Sequence, residues 1–146
     1  MSIKNNKGYV ATDMAVAIIG IIVFSGLIIS LMYNNFLTNA KVKKETIAVI
    51  YLTEIMENVG IATYEQVPLD EEEEKDRDLY KEKIEKLKPE DLREGGKFKD
   101  AYKVDIKINV EEGIETDVIR KINATISYTV GNKTYSNTLE RIKIKE

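Results

Sequence analysis

From Met14 to Tyr33 the chain runs twenty residues without a charge or a proline, reading MAVAIIGIIVFSGLIISLMY. Its polarity is confined to Ser25, Ser30 and the closing Tyr33. At ~1.5 Å of rise per residue such a run makes ~30 Å of helix, the hydrocarbon thickness of a bilayer. One membrane-crossing helix is predicted here. Asp13 stands at the front edge of the run, behind a short basic stretch that ends in Gly8. An acid at that position is costly unless something pairs with it.

A cut after Gly8 would give Tyr9 a new α-amino group and make Asp13 the fifth residue of the shortened chain. In a bundle of such helices the Asp13 carboxylate of one subunit can meet the Tyr9 ammonium of the next. That pairing neutralises both charges and fixes the axial stagger. Lys7-Gly8-Tyr9, an acid five residues after the glycine and an unbroken apolar helix together resemble the class III leader of type IV pilins and pseudopilins. The resemblance implies cleavage after Gly8 by a prepilin peptidase, methylation of Tyr9 and a registry role for Asp13. The family more often has glutamate at the fifth position and phenylalanine or methionine at the first. Aspartate keeps the charge with one methylene less reach.

The resemblance further implies a filament subunit of a type IV pilus, a type II secretion system or a competence pseudopilus. Expected partners are other pilin or pseudopilin subunits, the peptidase, an inner-membrane assembly platform and membrane lipid. No cofactor, metal or catalytic residue is expected, and the chain is read as a peptidase substrate and not an enzyme. The alternative is a bitopic anchor, with Asp13 at headgroup level, carrying a binding domain outside the cytoplasm. A cleaved secretory signal would have a shorter apolar core followed by small residues. Asn34-Asn35-Phe36-Leu37-Thr38 offers no such site.

The absence of cysteine and histidine excludes disulfides, thiolate or imidazole zinc sites and His- or Cys-based catalytic dyads. Lysines are interspersed with acids, so no nucleic-acid partner is inferred. Net charge is −3, and −5 once Lys4 and Lys7 are removed. Charge bias conflicts over orientation: Lys4 and Lys7 precede the span, but Lys41, Lys43 and Lys44 follow it. A long downstream domain translocates largely regardless of such charges, so the N-terminus is placed in the cytoplasm of a single-pass inner-membrane protein. Within the span Ala15, Ala17, Gly20, Ser25 and Gly26 are small but scattered over more than one face. They suit close packing without specifying a dimer.

The helix is expected to continue beyond the membrane. Val42, Ile47, Val49, Ile50, Leu52, Ile55, Met56 and Val59 recur at three- and four-residue steps. Leu52, Met56 and Val59 make one stripe, widened by Ala48 and Ile55, with Lys43, Lys44, Glu45, Glu54 and Glu57 facing away. The run AVIYLTEIMENV also resembles a segment of I-type minor pseudopilins. After Gly60 and Pro68 comes an acid-rich surface helix over about 70 to 88. Asp70 and Glu73 form a capping box there, and Glu71–Lys75, Glu73–Arg77 and Glu82–Lys86 are spaced as i,i+4 pairs. Only Leu79 or Tyr80, Ile84 and Leu87 can turn inward. The acid run lacks the glycine and spacing of an EF-hand loop.

Pro89 and Gly95-Gly96 mark a loop, and alternation then signals strands at 102–110 and 118–130 with a polar connection at 111–117. Arg120 is placed outside the core. Gly131-Asn132 reads as a two-residue hairpin turn. In the last strand Tyr135 and Leu139 share one parity and Ile142 and Ile144 the other. A bulge near Glu140–Arg141, or a strand leaving the sheet, would reconcile them. Asn123-Ala124-Thr125 and Asn132-Lys133-Thr134 match the N-glycosylation triplet and carry little weight. The expected fold is α+β and pilin-like: a long N-terminal helix packed on an antiparallel sheet of about three strands. Its parts are a leader (1–8), the transmembrane half of the helix (9–38), its amphipathic half (39–62), a loop with a charged helix (63–100) and the sheet (101–146).

Overall fold

The computed structural model describes residues 7–68, 76–110 and 119–144. A single helix, α1, runs from Lys7 to Ile61. The chain divides into two compact units, Met1–Ala40 and Lys41–Glu146. The first contains the apolar part of α1, where every side chain from Thr12 to Phe36 is exposed.

The second unit holds the rest of α1, then α2 (Arg77–Leu87) and the strands β1 (Tyr102–Val110), β2 (Ile119–Val130) and β3 (Lys133–Ile144). The sheet order is β1-β2-β3, antiparallel throughout. The fold is therefore α+β, with the helix packed against a three-strand antiparallel sheet. Periodicity explains the join. Ala48, Tyr51, Leu52, Ile55, Met56 and Val59 are buried along one side of α1. They meet the inward parity of the sheet: Tyr102, Ile106 and Ile108 of β1, with Ile122, Ala124, Ile126 and Tyr128 of β2. Neither surface could face water alone, and each covers the other. Val42, Val49 and Ile50 belong to the same apolar run but point away from the sheet and are exposed.

Tyrosines cross the sheet in register. Tyr102 opposes Tyr128, which opposes Tyr135. Ring centroids are 6.1 Å apart in the first pair and 5.9 Å in the second. Tyr51 adds an edge contact to Tyr102 at 5.9 Å, tying α1 into the row.

The charged stretch is helical over Arg77–Leu87. The Asp76 side chain accepts from the Leu79 amide at 3.0 Å. Asp70 to Lys75, and with them the Asp70–Glu73 box and the Glu71–Lys75 and Glu73–Arg77 pairs, lie outside the described residues. The Glu82–Lys86 pair is present at 2.7 Å. Both ends are exposed, so it adds little. Tyr80 and Leu87 turn inward, Ile84 in part, while Leu79 is exposed. Residues 111–118 also lie outside the described residues.

The hairpin closes at Gly131, whose φ of 58° suits a residue without a Cβ. From there β3 pairs with β2 without interruption to Ile119–Ile144. No bulge occurs, so parity settles the two apolar pairs. Tyr135 and Leu139 share the helix side with Arg141 and Lys143, and Ile142 and Ile144 lie on the outer face, exposed.

Candidate assembly segment and the cationic helix cap

The sequence singles out Gly8, Tyr9 and Asp13. Gly8 and Tyr9 lie in the first turns of α1, and Asp13 follows one turn later with an exposed side chain. Among the described residues Asp13 has no ion-pair partner within the chain. The leader residues 1–6 lie outside the described residues.

Behind Asp13, α1 presents bare hydrocarbon on all sides. Met14, Val16, Ile21, Phe24, Leu27, Ile29 and Leu31 are each more than half exposed, and none of the most apolar window is buried. Apart from the helix's own nearby backbone, nothing lies within 4 Å of where a side chain on Gly20 or Gly26 would begin. Burying this much apolar surface is worth ~25 cal/mol per Å², so the segment calls for an apolar surrounding. Its backbone groups are bonded within the helix, as a lipid environment demands. One helix among the described residues is long and apolar enough to cross a membrane, a test that a signal segment near an N-terminus also passes.

The opposite end of α1 carries a feature that sequence reasoning missed. The last turn holds no basic residue, and a helix end leaves carbonyls without partners. The sheet supplies them. Lys143 donates to Val59 at 2.8 Å and also to Ala62. Arg141 gives the Met56 carbonyl, one turn earlier and still within the helical ladder, a further donor at 2.6 Å. Arg120, placed outside the core by its charge, is in fact 7% exposed. Its Nη1 donates to Tyr64 at 2.7 Å and to Val67, with the guanidinium 4.0 Å from the Tyr64 ring centre. Carbonyl oxygens and a π-face let the cation sit inside without a carboxylate. The available signal was parity: Arg120 falls on the same side of β2 as Ile122 to Tyr128.

Lys44 differs from expectation in the same way. It does not face away but donates to the Thr129 carbonyl at 2.7 Å.

A groove of about 660 Å³ runs past Gly60, Tyr64, Arg141, Lys143 and Ile144. Its two cations are those already spent on helix carbonyls. A second, of about 590 Å³, lies between Ile61, Leu79 and Leu87. Among the described residues no cluster of three or more acids could hold a metal ion. Comparison with known proteins matches no family model, no curated protein and no solved structure.

Proposed function

We propose that the chain is a minor pilin or pseudopilin subunit, cut after Gly8 by a prepilin peptidase and assembled through its apolar helix into a type IV pilus or a secretion or competence pseudopilus. The observation that carries this reading is the bare apolar length of α1, headed by Lys7-Gly8-Tyr9 and Asp13. A helix exposed on all sides is suited to neighbours of its own kind once it leaves lipid. The small α+β unit that covers the distal stripe gives such a subunit a head with which to make contacts at the filament surface. In this reading the work is mechanical and not enzymatic. The subunit waits in the cytoplasmic membrane with its N-terminus inside, and Asp13 meets the Tyr9 ammonium of an adjacent subunit.

Intact-mass measurement of the membrane form tests it. Loss of residues 1–8 with gain of one methyl group is expected. A mass that retains residues 1–8 would return the chain to the simpler bitopic anchor.

A further inference from the structure

Four lysines gather where α1 enters the second unit and the β2–β3 hairpin closes. Lys41 holds its Nζ 4.7 Å from the centre of the Tyr135 ring. Lys44 donates to Thr129, which pairs with Thr134, while the next pair outward is Val130–Lys133. Lys133 therefore stands one register step from the carbonyl that Lys44 reaches. Lys43, between Lys41 and Lys44 in sequence, is exposed.

Among the described residues none of the four forms an ion pair. Lys86, Lys88, Lys99 and Lys121, elsewhere on the unit, all have carboxylate partners. Glu45, the neighbouring acid in sequence, is half-buried and acts on Tyr128. A chain of net charge −3 thus keeps a local excess of positive charge at one end of its folded unit. Two of these ammonium groups are held in place, and each has donors to spare beyond the contact that holds it.

We propose that this lysine cluster docks the folded unit on the anionic phosphate headgroups of the bilayer that α1 crosses. The docking rests on the membrane-spanning reading of α1. Chain continuity selects the partner. Lys41 is the eighth residue after Tyr33, the exposed ring that closes the apolar run. Aromatic rings favour the membrane–water boundary. An anionic lipid surface attracts each nearby lysine by ~1 kcal/mol, within a screening length of about 8–10 Å. A soluble polyanion offers the same charge but nothing that ties it to the end of an apolar segment. The docking also gives a use to lysines that a positive-inside count leaves on the wrong side.

The test uses the full chain in nanodiscs of neutral phosphatidylcholine, or of phosphatidylcholine with phosphatidylglycerol. Lysines are acylated and read by peptide mass spectrometry. Amines docked on headgroups are covered from the reagent, so Lys43 and Lys133 should label about fivefold more slowly in the anionic discs, the factor that ~1 kcal/mol represents. High salt should erase the difference, and Lys81 and Lys107 should label alike in both discs. Equal labelling of Lys43 and Lys133 in the two discs overturns the docking and leaves the spanning helix untouched. Slowing that requires added polyphosphate assigns the cluster to a soluble polyanion and overturns it too. A chain that enters neither disc overturns both the docking and the reading beneath it.

Discussion

Arg141 donates from Nη1 to the Met56 carbonyl at 2.6 Å, and its guanidinium occupies the space that a side chain on Gly60 would need. A Cβ at Gly60 would stand 2.7 Å from Nη2. The glycine near the end of α1 and the arginine of β3 are thus a matched pair. The helix gives up a methyl group so that a cation can lie flat against its terminal turn, where the dipole favours positive charge.

A Gly60→Ala substitution should consequently change sign with its partner. Alanine is ~1 kcal/mol better than glycine within a helix, but here its methyl displaces a charged hydrogen bond worth about 1.5–3 kcal/mol. The single variant should gain nothing or lose up to ~2 kcal/mol. In an Arg141→Ala background the same change should stabilise by ~1 kcal/mol. Urea unfolding of the four chains completes the cycle. Simple additivity would show that the two positions do not interact.

Arg120 binds the turn after α1 to the sheet through the Tyr64 and Val67 carbonyls. Arg120→Met keeps the apolar stem and leaves both oxygens without their donor. A loss of about 2–4 kcal/mol is expected, partly recovered by Arg120→Lys. Denaturant midpoints decide the matter, and a methionine variant as stable as the native chain would mean the guanidinium is dispensable.

Alkali should loosen the tyrosine row. Burial, with the Asp91 carboxylate next, pushes the Tyr51 hydroxyl up to about 12; its Oη donates to Asp91 Oδ2 at 3.2 Å. Burial raises Tyr102 and Tyr128 as well. In the unfolded chain these groups ionise near 10. The folded state therefore binds protons that the unfolded state has lost, and stability falls as pH climbs from about 10 towards 12. Unfolding free energies at about pH 8, 10 and 11 should be level at first and then drop. A Tyr51→Phe chain should drop less over the same interval, and identical slopes would remove Tyr51 from the account.

Asp13→Ala tests the registry role directly. Membrane insertion should be preserved, because alanine only makes the span more apolar, while co-assembly with native subunits should fall below detection by cross-linking. Normal incorporation of the variant would show that pairing with Tyr9 is unnecessary.

Apolar spacing made much of the architecture legible. The stripe from Ala48 to Val59, the alternation of β1 and β2 and the Gly131-Asn132 turn each follow from rules that look only a few residues away. Arg120, Arg141, Lys143 and Lys44 escaped because their partners are main-chain oxygens more than fifty residues distant, which no local pattern announces. Charge alone suggested the surface, whereas parity already placed Arg120 among the core positions. Ile142 and Ile144 misled in the opposite sense. Their hydrophobicity suggested a bulge, yet an unbroken register leaves them on the outer face. Gly8, Tyr9 and Asp13 were visible only as a motif. The partner proposed for Asp13 belongs to another subunit, which no pattern within one chain displays.

The cations that close the C-terminal turn of α1 sit some 81 to 85 positions later in the chain than the carbonyls they serve. A ribosome therefore releases the helix long before its closing residues exist. Until β3 emerges, that terminal turn has only water for company, and the greasy flank from Ala48 to Val59 lacks its sheet. Nascent heads should thus stay open to proteases and chaperones throughout most of synthesis and become resistant in one late step, when the final hairpin folds back.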